Sequence, residues 1–250
     1  MRIFELEQPG TWLISGTDDT RKVFKALLSN IQIVFYEANV ALNMFEDCRS
    51  KNLDVIPYDK NKWQQDIAHR KLCENKIIET YHLDPIGDIE EIEYQSAIML
   101  KRNKWVAGDV PMNHIDRYLF IYAKAFIYAL DEIYKCVREL KKFDGVHKNK
   151  IIEICDLIEE KLPKLSEVRN SSQHMEERVH GLGAHRKPLH EDGGALWLSN
   201  LDGTRFTTTI NGGKKAEVDI SCKSLEHMRD IVQQTLEAFE WEGPKVHLPN

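Results

Sequence analysis

The sequence predicts a mainly α protein: a bundle of long antiparallel helices with a small C-terminal antiparallel three-stranded β meander and a final helix. Three observations carry that expectation. Apolar residues recur at intervals of three and four through most of the chain up to Val179, the spacing that gives a helix one apolar face. The breaks between those stretches fall on clusters of Gly, Pro and Asp. Beyond Gly194 the pattern changes to short β-branched and aromatic runs joined by Asp-Gly and Asn-Gly, which favour tight hairpins.

The first helix is expected over residues 18–50. Thr17, Asp18 and Asp19 suit its N-terminus, and Val23, Phe24, Leu27, Leu28, Ile31, Phe35, Ala38, Leu42 and Phe45 mark its apolar face. A second, over 61–81, carries Trp63, Ile67, Leu72, Ile77, Ile78 and Tyr81 and stops before the Asp84-Pro85-Ile86-Gly87 turn. A third is expected over 88–105. After Gly108-Asp109-Val110-Pro111, a fourth runs through Ile115, Leu119, Phe126, Leu130, Ile133, Val137 and Leu140 and closes at Asp144-Gly145. The fifth begins near Lys148 and meets Pro163, which lacks an amide hydrogen and clashes with the preceding turn. The chain must kink there, or restart with Pro163 in the first turn of a last piece over 163–180. Gly181 and Gly183 are its stop signals. Strands are expected at 195–199, 205–210 and 215–220, a closing helix at 224–241, and an edge strand within 1–15. The domain reading is a helical bundle over 1–183, with the meander and closing helix of 184–250 packed on the same core.

Composition bounds the function. With 250 residues, 42% hydrophobic and 30% charged, the chain can bury a core of its own, which excludes collagen-like and disordered readings. Its 34 basic and 40 acidic side chains give a net charge of −6, so no overall positive field draws it to nucleic acid, and any such contact must use a local patch. The longest apolar run, 118–130, is short and holds Lys124, and the first residues lack a signal-peptide core; the expectation is a cytoplasmic protein without a membrane segment. Cys48, Cys73, Cys136, Cys155 and Cys222 form no CxxC and read as reduced thiols. The five tryptophans read as core.

Reactive side chains concentrate in one stretch, from Glu167 to His180. Asn170-Ser171-Ser172-Gln173-His174 is poor helix material, because Asn and Ser compete for backbone hydrogen bonds, and local rules tend to fail at functional sites. Metal-free RNA cleavage uses the 2′-hydroxyl as nucleophile. The protein must move protons to and from oxygen and stabilise charge on phosphate. Histidine suits the first task because it titrates near neutrality, and arginine the second because its planar fork stays charged. Asn170 and His174, four apart, share a face of a regular helix, so the amide could orient the imidazole. Arg169 and His174, five apart, would stand about 140° apart on an unbroken helix, so a second protomer is expected to complete the cleft. The bland alternative pairs Arg169 with Glu167 or Glu176 and leaves His174 as an ordinary surface histidine.

The arrangement Arg169-Asn170, three residues, His174 resembles the arginine-polar-x3-5-histidine motif of the HEPN superfamily, compact helical domains that carry it on a late helix. The resemblance implies a metal-independent endoribonuclease or RNA-binding protein, often a toxin or defence component, acting as a homodimer. His174 would be the general acid or base, Arg169 the phosphate clamp and Asn170 the polar position. Other members have lost catalysis and serve as binding modules. Arg178, Arg186 and Lys187 are the nearest candidates for contacts to an RNA backbone. No metal and no cofactor is expected: His174, His180, His185 and His190, with Glu176, Glu177, Glu191 and Asp192, match no recurrent ligand spacing. Neither a GxSxG elbow nor a P-loop occurs. The alternative function is a non-catalytic helical module that binds a protein partner such as an antitoxin.

Overall fold

The computed structural model describes residues 1–53, 60–144, 147–183, 188 and 198–249. These form a mainly α protein with eight α-helices and a three-stranded antiparallel sheet, followed by a helix. Two compact units divide the chain: Met1–Arg49 with Leu119–Asn250, and Ser50–Tyr118. The division therefore does not fall at 183. The reason is packing: Phe206, Val218, Ile220 and Met228 of the C-terminal part lie in one apolar cluster with Phe24, Ile127, Ile154 and Val168 of the helices. A short meander with one apolar face has no core of its own and must share one.

In the larger unit, α1 (Asp18–Leu53) buries Phe24, Leu28, Ile31, Phe35, Ala38, Leu42 and Phe45. Their spacing alternates four and three, the narrow seam of closely aligned helices. α4 (Met112–Leu140) answers with Ala123, Ile127, Leu130, Ile133, Val137 and Leu140. α5 (Lys148–Lys161) adds Ile151, Ile154 and Ile158. Pro163 then lies in the connecting turn, with Lys164 left-handed at φ 63, and α6 spans Leu165–Gln173. The single last piece expected over 163–180 is instead two helices, α6 and α7 (Met175–Val179), with His174 between them.

The sheet runs β3 (Asn200–Asp202), β4 (Arg205–Thr209) and β5 (Lys215–Asp219), all antiparallel, with Phe206 opposite Val218. The first strand thus lies beyond the expected 195–199, of which 195–197 fall outside the described residues. Asp202 pairs with Arg205, so Gly203 and Thr204 form the loop, and Gly203 takes φ +60, which favours glycine. Four consecutive residues of β4, Phe206 to Thr209, are buried, so both faces of this strand are covered. α6 packs against β4 and β5, and α8 (Cys222–Leu236) against α5. The closing helix ends at Leu236 rather than Trp241. The tail then forms β6 (Trp241–Glu242) and β7 (Val246–Leu248), paired antiparallel with β2 (Trp12–Leu13) and β1 (Leu6–Gln8). The edge strand expected within 1–15 is therefore two short strands that join the C-terminal tail, not the meander.

In the unit Ser50–Tyr118, α2 (Lys60–Tyr81) and α3 (Ile89–Val106) lie along each other and bury Cys73, Ile77, Ile92, Ser96 and Leu100. Lys104 pairs with Asp66 at 2.7 Å. Trp63, Ile67, Leu72 and Tyr81, expected on the inner face of α2, are exposed. Trp12 and Trp105 are exposed too, so the tryptophans are not the core that the sequence suggested; Trp241 alone of the four described is half-buried, its indole donating to the Leu236 carbonyl at 2.8 Å. Trp197 lies outside the described residues. All five cysteines are free thiols, and burial pushes those of Cys136 and Cys155 up. Among the described residues no helix is long and apolar enough to cross a membrane.

Candidate functional site

α6 buries Leu165, Val168, Ser171 and Ser172 and so turns Arg169 and Asn170 toward the outer side. The helix fails at His174, where φ −99 and ψ 51 leave the helical region. Its serines help to explain why. The Ser172 hydroxyl donates back to the Arg169 carbonyl at 2.8 Å and meets the Tyr128 hydroxyl at 3.3 Å. The Ser171 hydroxyl accepts from Arg178 Nη2 at 3.2 Å. Such side-chain bonds compete with the helical ladder. α7 in turn stops at Gly181, φ +69, where the Leu182 amide donates to the Glu177 carbonyl at 2.9 Å and that of Gly181 to Arg178 at 2.9 Å. This is the left-handed glycine cap expected there.

His174 is thus the residue at which α6 ends, with Arg169 in the middle of that helix. The His174 amide still donates to the Asn170 carbonyl one turn back, at 3.2 Å, so the chain follows α6 as far as His174 and leaves it there. The Asn170 side chain accepts from Arg169 Nη1 at 3.1 Å. The His174 imidazole is about half exposed, with Nδ1 3.6 Å from Glu176 Oε1. The three motif residues are thus connected through Asn170, whose amide orients the arginine rather than the histidine.

Arg169 is the most constrained of the three, with its side chain 25% exposed. Its guanidinium carbon stands 5.5 Å from the centre of the Tyr128 ring, and Nε lies 3.4 Å from Asp131 Oδ2. Asp131, on α4, is fully buried; Lys135 Nζ lies 2.6 Å from Oδ2, and the Ser166 hydroxyl donates to Oδ1. A carboxylate out of water needs partners: the Ser166 hydroxyl bonds Oδ1, and two cations stand near Oδ2, although among the described residues neither Oδ2 nor Arg169 Nε makes a hydrogen bond. Neither Glu167 nor Glu176 takes Arg169, since Glu167 pairs with Lys164 at 2.8 Å and Glu176 faces His174. One turn along α4, Tyr134 donates to Glu159 Oε1, and burial, then that carboxylate, push its phenol up to about 12.

Arg178, expected to meet RNA, is 3% exposed and bound inward, with Nη1 donating to the Leu182 carbonyl at 2.6 Å and Nη2 to Ser171. It braces the corner between α6 and the chain after α7 and is not a surface cation. Arg186 and Lys187, with His185, His190, Glu191 and Asp192, lie outside the described residues. Among those described, no group of three or more His, Cys, Asp and Glu is arranged to hold a metal ion.

Sequence reasoning missed Asp131, Tyr128 and Ser166. A signal for Asp131 existed: it sits four residues after Ile127 and three before Tyr134, inside the apolar stripe of α4, where an acid must have a partner. Nothing in the sequence named Arg169 as that partner. Comparison with family models, with curated proteins and with solved structures finds no match to this chain. The functional reading therefore rests on the motif and its setting.

Proposed function

We propose that the chain is a HEPN-like, metal-independent endoribonuclease or RNA-binding protein of the cytoplasm, a toxin-antitoxin or defence component, with Arg169, Asn170 and His174 as its working residues. The observation that supports this most is the state of Arg169. A guanidinium fixed by an aromatic face, a buried carboxylate and a neighbouring amide, yet still a quarter exposed, is oriented before any ligand arrives. In the proposed reaction the 2′-oxygen attacks phosphorus and the bond to the 5′-oxygen breaks. One imidazole takes the 2′ proton while an imidazolium gives a proton to the leaving 5′-oxygen, leaving a 2′,3′-cyclic phosphate. Each chain supplies one His174, so a homodimer supplies the pair, and Arg169 holds the phosphate oxygens.

The test is RNA cleavage in excess EDTA by the wild type, His174→Ala and Arg169→Ala, each checked for folding by circular dichroism. The expected result is cleavage by the wild type and a loss of about 100-fold or more with His174→Ala, the lower range for removal of an acid-base group. An inactive wild type that also binds no RNA overturns the reading, as does undiminished cleavage by folded His174→Ala. A second reading, a helical module that binds a protein such as an antitoxin, is favoured by the net charge of −6 and by the apolar surface of residues 50–118. Salt separates the two: RNA affinity falls steeply as salt rises, and an apolar interface holds.

A further inference from the structure

Between α1 and the ribbon of β2 and β6 lies a cleft of about 290 Å³. Its α1 wall is Arg21, Lys25, Leu28, Ser29 and Gln32, at i, i+4, i+7, i+8 and i+11, which is one face of the helix. Both ends of that wall are tied down. At one end Arg21 Nη2 donates to the carbonyls of Ile14 at 3.2 Å and Gly16 at 3.0 Å, and Nη1 to Asp18 at 3.0 Å. Its Nε is a buried donor with no acceptor among the described residues. At the other end, about 16 Å along the helix, Gln32 donates to Gln8 Oε1 at 3.1 Å. Between them Lys25 and Ser29 are exposed and make no hydrogen bond or ion pair among the described residues. Buried Leu28 lines the cleft together with Leu13 and Trp241, which are partners across the ribbon. The Trp241 indole is fixed by its bond to the Leu236 carbonyl. The Trp12 ring, also in the lining, packs against Gly243, where a β-carbon would come within 2.7 Å of it, and stays 62% exposed.

The lining holds two cations and no acid, in a chain of net charge −6. Other clefts match their cations: the one beside the α5–α6 turn sets Glu159 and Glu167 against Arg138 and Lys164, and the one beside β1 and α8 sets Glu5, Glu7 and Asp230 against Arg229. Asp18 meets Arg21 from outside the lining and leaves Lys25 unmatched. A free ammonium and hydroxyl beside indole rings suit a ligand of two parts, an anionic group for the first and a flat ring for the second. We propose that this cleft binds a small aromatic anion, a planar ring joined to a phosphate or a carboxylate, with the ring against Trp12 and Trp241 and the anionic group on Lys25 and Ser29. The volume stands at the lower end of small-molecule sites, roughly 300–1,000 Å³, and so admits one such molecule. The site does not depend on the RNA reading, and the motif residues take no part in it.

The test is calorimetric titration of the full chain with adenosine 5′-monophosphate and with phenylacetate, which present the two anionic groups. The parts of each are titrated separately: adenosine and inorganic phosphate, benzyl alcohol and acetate. At least one joined ligand is expected to bind, more tightly than either of its parts, and which one binds assigns the anionic group. Lys25→Ala is expected to weaken that binding about tenfold, as the loss of a bond to a charged group does. Trp12→Ala is expected to weaken it about fivefold, through the lost ring contact. Ser29→Trp, at an exposed helix position, fills the cleft and is expected to abolish binding while circular dichroism shows the fold unchanged. No binding of either joined ligand at millimolar concentration overturns the proposal, and so does binding that survives both Lys25→Ala and Ser29→Trp in folded protein. A separate part that binds as tightly as the joined ligand also overturns it. Arg169→Ala distinguishes this site from the motif: the proposal requires unchanged binding. Binding lost with Arg169→Ala but kept by Lys25→Ala would place the ligand at the motif, overturning the proposal while leaving the RNA reading intact.

Discussion

Asp131→Ala is the sharpest probe of the site, because the carboxylate is fully buried while its partners are not. Removing one member of a buried ion pair costs roughly 3–5 kcal/mol when the other is left stranded. Here the side chains of Lys135 and Arg169 are 45% and 25% exposed, so both cations can turn to water, which reduces that figure. The Ser166 hydroxyl loses its acceptor, at about 1–3 kcal/mol for a buried donor left unpaired. Together these put the loss at about 2–3 kcal/mol. With a urea slope of about 3 kcal/mol per molar, the midpoint should fall by somewhat under 1 M, read by near-ultraviolet circular dichroism. Arg169→Ala alone should cost less, and the double variant should show a coupling of at least about 0.5 kcal/mol, since the two side chains share one contact. A midpoint that moves by less than a tenth of the wild-type value, or two losses that simply add, would refute the claim that Asp131 holds Arg169.

The remaining predictions concern the core and its ionisation. Phe24→Ala removes edge contacts with Phe143 and Phe239, at ring distances of 5.7 and 5.3 Å, and should cost about 3–5 kcal/mol. At about 2–4 °C per kcal/mol in a chain of this size, a Tm drop near 10 °C by calorimetry is expected, and a drop under 3 °C would contradict the packing account. The raised phenol of Tyr134 means that the folded protein holds this proton more tightly than the unfolded chain. Its contribution to stability is therefore complete below about pH 10, the unfolded value, and is lost as pH rises toward about 12. Tyr134→Phe should flatten the alkaline limb of the stability curve, and an unchanged limb in urea titrations across that window would show that Tyr134 does not drive it.

What was legible in the sequence followed from how repetitive the physical signal was. α1 and α4 were legible because a stripe recurring every three or four residues over several turns leaves little freedom of assignment, and Phe24 to Phe45 are buried as their spacing requires. α2 was legible as a helix and misread as to its face. Its apolar residues are spread around the axis, so Trp63 and Leu72 lie on opposite flanks and, among the described residues, Cys73 and Ile77 are the ones buried. The strands β1, β2, β6 and β7 are two or three residues long and pair from opposite ends of the chain, so local pattern could not declare them.

The segment from Glu167 to His180 shows most clearly where reading by composition stops. Its polarity suggested a site, but the structure divides those polar groups between two tasks. Ser171, Ser172 and Arg178 are buried and bonded to one another or to nearby backbone, and they shape the corner at which α6 ends. Asn170, Gln173, His174, Glu176 and His180 face outward, and Arg169 does so in part. The division follows from helix geometry: α6 must bury Leu165 and Val168 against β4 and β5, and positions 171 and 172 fall on that same side, so serines there are forced inward and need partners. Arg178, seven residues after Ser171 and so on the same side two turns along, meets one of those needs with Nη2.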